Sequence, residues 1–332
     1  MTWEIVEGEC KEWLRDQPEN SFHSIITDPP YGLVEYTSKE IEKMKRGVGG
    51  IWRIPPRIGG SERMPLPRFT VLTKNDVRTL HSFFVEWGKV ALPVLRPGGH
   101  LFLASNPLLV HVVTSALVES GFESRGVVVR LVRTLKGGFR PKNAEVEFED
   151  ISSMPRSSWE PWAVLRKPFD GLLSANLRQW EAGGLRRDID GNPFSDVVPS
   201  TRTPSEERRI APHPSLKPQA FLRRLVWASL PLARGRILDP FCGAGSTLAA
   251  ANALGFESVG VESNKEYSRL ARRAVPRLAA LDVDMWIKLN GSGAEPLKHR
   301  RQSHLLTYLE SGTRGGEDGG VDKGRIVKPH AR

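Results

Sequence analysis

The stretch Asp239-Pro-Phe-Cys-Gly-Ala-Gly-Ser-Thr247 determines how the C-terminal half of the chain folds. It completes Arg236-Ile-Leu-Asp239, a short apolar run that predicts a strand, and it leads into an alanine-rich helix predicted over 246–254. Gly243 and Gly245 allow the backbone to approach a ligand without a Cβ clash, and the helix start points free N–H groups at it. A strand, a glycine turn and a helix in this order predict a ligand-binding turn.

A carboxylate follows at the end of the next predicted strand, Ser258-Val-Gly-Val-Glu262. Glu262 is placed there to accept hydrogen bonds from the two hydroxyls of a ribose. A nicotinamide cofactor is disfavoured, because the dinucleotide fingerprint needs a third glycine where this chain has Leu248. The candidate cofactor-binding residues of this half are Asp239, Phe241, Gly243, Gly245, Ser246, Thr247 and Glu262.

Strands and helices alternate along much of the chain, which predicts an α/β fold with a doubly wound parallel sheet. Two segments interrupt the alternation. Residues 32–73 predict a long irregular loop, and residues 168–212 are turn-rich without clear elements. The predicted strands cover residues 4–6, 22–27, 100–104, 126–133, 161–166, 236–239 and 258–262, with 126–133 and 161–166 paired; the predicted helices cover 10–16, 76–95, 108–120, 219–230, 246–254 and 265–281.

The second motif, Asp28-Pro29-Pro30-Tyr31, comes directly after the predicted strand 22–27. Two consecutive prolines cannot continue a central strand, so the motif predicts a rigid loop at the carboxyl end of that strand. The Asp28 carboxylate and the Pro29 carbonyl are acceptors for the two hydrogens of an amine. Tyr31 offers a ring on which a nucleic-acid base can stack. The four residues are the candidate catalytic group.

The two motifs together resemble the bacterial DNA amino-methyltransferases of the β group, in which the catalytic block precedes the cofactor block. The similarity includes the N-terminal pattern Val6-Glu-Gly-Glu-Cys10, Pro18-Glu-Asn-Ser21 and Thr27-Asp-Pro-Pro-Tyr-Gly32, and also Pro212-His-Pro-Ser-Leu-Lys-Pro218. It covers residues 4–34, 83–104 and 212–272, and the segments between them are outside the resemblance.

The resemblance implies a permuted Rossmann-like methyltransferase sheet, which the chain enters at the usual third strand and whose first two strands come last. Asp28 and Gly243 are then expected to face one crevice. The implied cofactor is S-adenosyl-L-methionine, with His213 and Lys217 beside its methionine part. The acid that contacts the cofactor adenine in the family falls at Glu9, where relatives usually carry aspartate.

The implied reaction is methyl transfer to an exocyclic amine of a base flipped out of double-stranded DNA. Adenine N6 is favoured, because family members that methylate cytosine N4 more often carry serine in place of Asp28. Cytosine-N4 methylation stays the main alternative. An RNA or protein methyltransferase is disfavoured by the permuted block order. A non-catalytic DNA-binding relative is disfavoured by the presence of Asp28, Tyr31, Gly243 and Glu262 together.

The net charge of +10 favours a polyanionic partner, and its distribution is uneven. Residues 43–57 and 125–142 carry basic side chains and no acidic ones, whereas the insertion 171–212 is balanced. Balanced charge suits contacts with base edges, so the insertion is the favoured target-recognition region. The candidate DNA-binding residues are Arg53, Arg57, Arg130, Arg133, Lys136 and Arg140.

Composition excludes several other classes. Two cysteines, Cys10 and Cys242, are too few for a disulfide framework or a four-cysteine metal site, and they are predicted to be small buried residues; no metal is expected. We expect a cytoplasmic protein without a signal peptide or membrane span. The oligomeric state stays open, with a homodimer as one candidate. The predicted parts are a catalytic half at 1–170 including the loop 32–73, the insertion 171–212, a cofactor-binding half at 213–290 and a disordered tail at 291–332.

Overall fold

The strands of this protein form one large mixed sheet and one small hairpin. The computed structural model describes residues 2–30, 57–58, 61–62, 74–132, 138, 140–141, 143–213 and 215–285, with the backbone alone at 57–58 and 61–62. The eight strands of the large sheet are β1 (Trp3–Glu7), β2 (Phe22–Thr27), β5 (Leu95–Ala104), β6 (Glu123–Leu131), β7 (Trp159–Arg166), β8 (Val197–Pro199), β9 (Arg236–Asp239) and β10 (Glu257–Glu262). The hairpin consists of β3 (Arg57–Ile58) and β4 (Ser61–Glu62).

The order of strands across the sheet is β1-β10-β9-β2-β5-β7-β6-β8. All neighbouring pairs are parallel except those that β7 makes with β5 and β6, which are antiparallel. The first strand of the chain thus pairs with the last one, and β9 lies between β10 and β2. This arrangement confirms the predicted permutation. The crevice of such a sheet lies at its switch point, where β9 and β2 meet.

Helices cover both faces of the sheet. One apolar cluster joins α1 (Cys10–Arg15), α2 (Lys74–Val94) and α3 (Val110–Glu119) to the strands, with Trp87 fully buried at its centre. A second cluster joins α7 (Ser246–Ala253) and α8 (Lys265–Ala279) to β1, and α6 (Gln219–Ser229) packs against α7. Apolar burial on both sides is what makes the central strands nearly continuous in hydrophobicity. Cys10 and Cys242 are both buried, as predicted.

The prediction that residues 168–212 lack clear elements is wrong. They form α4 (Leu173–Trp180), the edge strand β8 and α5 (Ser205–Ile210). Asn176 rather than an apolar stripe anchors α4, because its buried side-chain amide donates to the carbonyl oxygens of Pro97 (2.9 Å) and Ala182 (2.7 Å). The apolar residues Leu173, Leu177 and Trp180 of α4 do have helical spacing, but over eight residues this pattern is too short to predict a helix.

Two smaller expectations also need correction. The predicted irregular loop 32–73 contains the hairpin of β3 and β4, and the rest of it lies outside the described residues. The strand predicted from residue 100 begins at Leu95 and includes Arg96-Pro-Gly-Gly99. The tail predicted as disordered also lies outside the described residues. Among the helices that the structure describes, none combines the length and the apolar character that a membrane crossing requires.

Candidate active site

The site forms at the carboxyl ends of β9 and β2. Asp239 ends β9 and is 4% exposed, and its Oδ1 accepts hydrogen bonds from Thr27 Oγ1 at 2.7 Å and from the backbone N–H of Phe241 at 3.2 Å. The carboxylate therefore ties the end of β2 to the start of the glycine turn. Burial raises the pKa of Asp239 to about 7, against the hydrogen bonds from Thr27, Thr247 and Phe241 that act to lower it.

The glycine turn adopts a backbone conformation that other residues rarely tolerate. Gly243 and Gly245 have φ of +50° and +79°, and Gly245 caps the N-terminus of α7. A Cβ at Gly245 would lie 2.5 Å from Val275 Cγ2, and a Cβ at Gly243 would lie 3.2 Å from the imidazole of His213. Packing therefore requires glycine at 245, whereas a side chain at 243 would have to displace the imidazole of His213.

Glu262 holds the turn from the neighbouring strand. Its Oε2 accepts the backbone N–H of Gly243 and its Oε1 accepts that of Asn264, both at 2.8 Å. Each carboxylate oxygen can accept more than one hydrogen bond. The side chain that is predicted to bind ribose hydroxyls is therefore fixed in place and retains acceptor capacity.

The structure brings the two motifs together in one cleft, as the sequence predicts. Asp28 lines it from the β2 side and the glycine turn from the β9 side. The cleft has a cavity volume of about 40 Å³. Its lining consists of Asp28, Trp162, His213, Ser215, Lys217, Leu222, Asp239, Phe241, Cys242, Gly243, Ala244, Ser246 and Thr247.

Lys217 contacts two carboxylates in and beside this cleft. Its ammonium forms an ion pair and hydrogen bond with Oδ2 of Asp28, and it lies 3.9 Å from Oε2 of Glu160. The side chains of Lys217, Asp28 and Glu160 are 10%, 14% and 21% exposed. The catalytic candidate is thus paired with a residue to which the resemblance gives a cofactor role.

Glu160, on β7, lies beside Lys217 and was not among the site residues predicted from the sequence. Trp162 Nε1–H donates to its Oε1 at 2.8 Å, and Arg130 Nη1 donates to its Oε2 at 3.2 Å. Burial acts to raise the pKa of Glu160, but the positive charges of Lys217 and Arg130 outweigh it and the net direction is downward. The glutamate is therefore held ionised. In the sequence, Glu160 stands between Trp159 and Trp162, directly before the predicted buried strand 161–166. That position was the signal that could have revealed it.

His213 lies against the glycine turn. Its ring makes an edge contact with Tyr267, with the centroids 4.4 Å apart, and its Nδ1 accepts the backbone N–H of Ser215 at 3.2 Å. Burial, aided by the charge of Lys217, lowers the pKa of His213 to about 4. The imidazole is therefore neutral at physiological pH and adds no positive charge to the cleft.

The remaining predicted site residues lie around this centre. Glu9 is exposed just beyond β1, and its carboxylate caps α1 by accepting the backbone N–H groups of Lys11 and Glu12. Pro29 is buried and Pro30 is exposed. Tyr31 lies outside the described residues, so its predicted stacking role stays a prediction.

One of the DNA-binding predictions conflicts with the structure. Arg130 is 5% exposed, and besides Glu160 its guanidinium bonds Ser200 Oγ and the carbonyl of Thr201, both at 2.9 Å. Its positive charge is paired inside the protein and is therefore not available to bind phosphates. Arg140 is exposed, and its Nε–H donates to the carbonyl of Glu149 at 2.8 Å. The side chains of Arg53, Arg57, Arg133 and Lys136 lie outside the described residues.

Comparison with solved structures identifies the class of the fold. The PvuII DNA methyltransferase, described as cytosine-N4-specific, superposes with a TM-score of 0.54 at 14% identity, covering 85% of this chain and 87% of that one. A DNA modification methylase of Thermus thermophilus, complexed with S-adenosyl-L-methionine, gives a TM-score of 0.51 at 18% identity, covering 83% and 94%. Both confirm the Rossmann-like methyltransferase fold.

The family follows from the sequence match. Residues 22–273 match the model of the N6 and N4 methyltransferases described as DNA methylase, and the chain belongs to this family. The Type II methyltransferase M2.DpnII of Streptococcus pneumoniae is 24% identical over 270 residues, which cover 81% of this chain and 88% of the relative. M.HindIII of Haemophilus influenzae is 23% identical over 284 residues, covering 78% and 90%. The chain is an S-adenosylmethionine-dependent DNA methyltransferase, as the two motifs indicated.

Proposed function

We propose that this enzyme methylates N6 of adenine in double-stranded DNA, and that Asp28 is its catalytic carboxylate. The observation that carries the proposal is the position of Asp28 in the same cleft as the glycine turn, although 210 or more residues separate them in the chain. Aspartate at this position favours adenine over cytosine, since the related cytosine-N4 enzymes more often carry serine there. The shared fold with a cytosine-N4-specific enzyme does not weigh against adenine, because fold does not determine substrate.

The residues of the cleft fit S-adenosylmethionine. Glu262 offers acceptors for ribose hydroxyls, and glycine at 243 lets the turn lie against His213, since a Cβ would come within 3.2 Å of the imidazole. His213 and the turn Phe241–Thr247 would line the site of the methionine part and the adenosine. When bound, the cofactor supplies the methyl group. Glu9 is proposed to contact the cofactor adenine after giving up one of its hydrogen bonds to the N-terminus of α1.

The chemistry of the acceptor explains why a carboxylate is needed. The lone pair of an exocyclic amine is delocalised into the base ring, so the amine is a weak nucleophile until its nitrogen becomes more tetrahedral. Asp28 and the Pro29 carbonyl are proposed to accept one amine hydrogen each and so favour that geometry as the bond to the methyl carbon forms. The buried Pro29 keeps its carbonyl fixed, which lowers the reorganisation that accompanies the reaction.

The depth of Asp28 implies that the target base leaves the duplex. With its side chain 14% exposed in a narrow cleft, Asp28 cannot reach an amine that remains stacked inside DNA. Tyr31 is proposed to stack on the extruded base. The insertion 171–212 is proposed to read the target sequence, and Arg140 with the basic residues Arg53, Arg57, Arg133 and Lys136 to contact phosphates. A homodimer stays a prediction.

The test has two parts. Methylated DNA is digested to nucleosides and the modified base is identified by mass spectrometry; N6-methyladenine is expected, and N4-methylcytosine would overturn the choice of base. Single-turnover methylation is then measured for Asp28→Ala with cofactor and DNA saturating, against Asp16→Ala at the exposed end of α1 as a matched control. We expect a loss of about 10²–10³-fold or more for Asp28→Ala alone. A rate near wild type would place the catalytic centre elsewhere.

A further inference from the structure

We propose that Lys217 positions the catalytic carboxylate of Asp28 and keeps it ionised, and that Glu160 holds Lys217 in that place. The resemblance assigns Lys217 to the methionine part of the cofactor, whereas in the structure its ammonium bonds Oδ2 of Asp28. The inference rests on the proposed function, because it takes Asp28 as the acceptor of the amine hydrogen.

The three side chains come from separate parts of the sheet. Asp28 follows β2, Glu160 lies on β7, and Lys217 precedes α6, where Pro218 and the bond from Gln219 N–H to Glu207 fix the backbone. All three are largely shielded from water, with side-chain exposures of 10–21%. In such surroundings a charge pair is screened less than at the surface and holds its geometry more firmly.

Glu160 is itself anchored at both oxygens, and one of them, Oε2, also faces Lys217. Trp162, which is fully buried, donates to one of its oxygens, and Arg130 donates to the other. Arg130 is in turn fixed by Ser200 and Thr201 and lies over the ring of Phe221 at 5.3 Å. A carboxylate held this rigidly provides a fixed negative charge 3.9 Å from the Lys217 ammonium and limits where the lysine can go.

The arrangement serves the reaction in two ways. An ammonium bonded to Oδ2 restricts rotation of the Asp28 carboxylate about its Cβ–Cγ bond, which fixes the direction in which it accepts a hydrogen bond. The positive charge also favours the ionised carboxylate. A protonated Asp28 would present a hydrogen to the amine instead of an acceptor, so ionisation is necessary for the proposed role.

Several charged groups set the proton affinity of Asp28, and they have opposite effects. Lys217 favours ionisation and Glu160 behind it opposes it. Asp239 opposes it only above its own pKa of about 7, and His213 is neutral. Removal of Lys217 should therefore move the acid limb of the rate profile to higher pH. Removal of the Glu160 charge should free Lys217 from its place and raise the limb by a smaller amount. A purely structural role for either residue would predict no displacement of the limb.

The experiment measures single-turnover methylation from pH 5 to pH 9 with DNA and S-adenosylmethionine saturating, together with cofactor affinity by calorimetry. For Lys217→Met we expect an acid limb about 1–3 pH units higher, so that its rate falls between pH 8 and pH 5 while that of wild type does not, and a cofactor Kd within about twofold of wild type. Lys217→Arg retains the charge and should leave the limb in place. Glu160→Gln should raise the limb by a smaller amount, because Lys217 is then no longer held against Asp28. Asp239 has a pKa near 7, so the Lys217→Met shift is repeated in an Asp239→Asn background, where it has to persist.

A control variant in the segment 212–218 distinguishes a role in positioning Asp28 from a role in binding the cofactor. His213→Ala should weaken cofactor binding and leave the acid limb unmoved once cofactor saturates. If Lys217→Met instead weakens cofactor binding tenfold with an unmoved limb, Lys217 is a cofactor ligand and the inference is wrong. If Lys217→Met does not fold, the acid limb of Glu160→Gln is the test: a raised limb supports the inference, and an unmoved or lowered limb contradicts it. An active Asp28→Ala would refute the proposed function itself, whereas an inactive Asp28→Ala with an unmoved limb in Lys217→Met refutes only the role of Lys217.

Discussion

Replacing Asp239 by asparagine should make the folded protein more stable at neutral and alkaline pH. Burial raises the pKa of this carboxyl from its ordinary value of 3.8 to about 7, so the folded state binds the proton more tightly than the unfolded state. The contribution of Asp239 to stability is therefore greatest below pH 3.8 and is lost as the pH rises to about 7. A tenfold difference in proton affinity corresponds to about 1.4 kcal/mol, so the full loss is about 4 kcal/mol.

Asparagine is a suitable replacement because it retains the shape and the acceptor oxygen. Its Oδ1 can still accept from Thr27 and from the backbone N–H of Phe241, while its amide can donate to the hydroxyl oxygen of Thr247. It removes only the ionisation. Of the total effect, about 3 kcal/mol develops between pH 5 and pH 8, and this difference should appear between the variant and wild type.

The assay is urea unfolding of the free enzyme at pH 5 and pH 8, followed by far-ultraviolet circular dichroism. Other buried groups that titrate in this range, such as Glu207 with a pKa of about 7, are present in both proteins and cancel in the comparison. Asp16→Asn, at an exposed aspartate, is the matched control and should change stability equally at the two pH values. If Asp239→Asn also changes stability equally at both, Asp239 is not protonated by burial and the reasoning fails.

Two further predictions concern binding. Gly243→Val should abolish cofactor binding in calorimetry while the protein stays folded, because its Cβ comes within 3.2 Å of the imidazole of His213. Gly255→Val is the control, since Gly255 has the same left-handed backbone but nothing within 4 Å of its Cβ. Wild-type affinity in Gly243→Val would contradict the assignment of the turn. DNA affinity should fall steeply with salt, and Arg140→Ala should reduce the slope of log K against log salt concentration by about 0.9 while weakening binding to all sequences alike. A loss confined to one sequence would mean that Arg140 reads bases.

The elements that surround the cofactor could be predicted from the sequence because each is a local pattern. The strand ending at Asp239, the glycine turn and α7 follow one another without interruption, and the structure has them within one or two residues of the predicted bounds. That Asp28 lies close to Gly243 could be predicted only with the strand order as well, which the family resemblance implied. Local periodicity alone would not have brought these distant segments together.

Arg130 illustrates what a charge count cannot predict. The sequence predicted that its strand pairs with the strand of Glu160, but not the register, and the register places Arg130 directly opposite Glu160. Arg130 also shares a sheet face with Val128, and both are buried. Arg130 was predicted to be a surface charge of the basic segment 125–142, because composition carries no information on the direction of a side chain. The same limit hid the pairing of Lys217 with Asp28.

The position of β9 has a consequence for how the enzyme is made. During synthesis β1 and β2 leave the ribosome first, yet in the folded protein they are separated by β10 and β9, which appear more than 200 residues later. Until then β2 can pair on one side with β5, while its other edge and β1 have no strand beside them. The last strands to emerge must therefore insert into the middle of the sheet, and contacts of such long sequence separation form slowly. A chain that ends before β9 would expose unpaired strand edges and would lack the cofactor side of the cleft. The two sides of the methyltransferase centre can therefore meet only after the C-terminal strands have been synthesised.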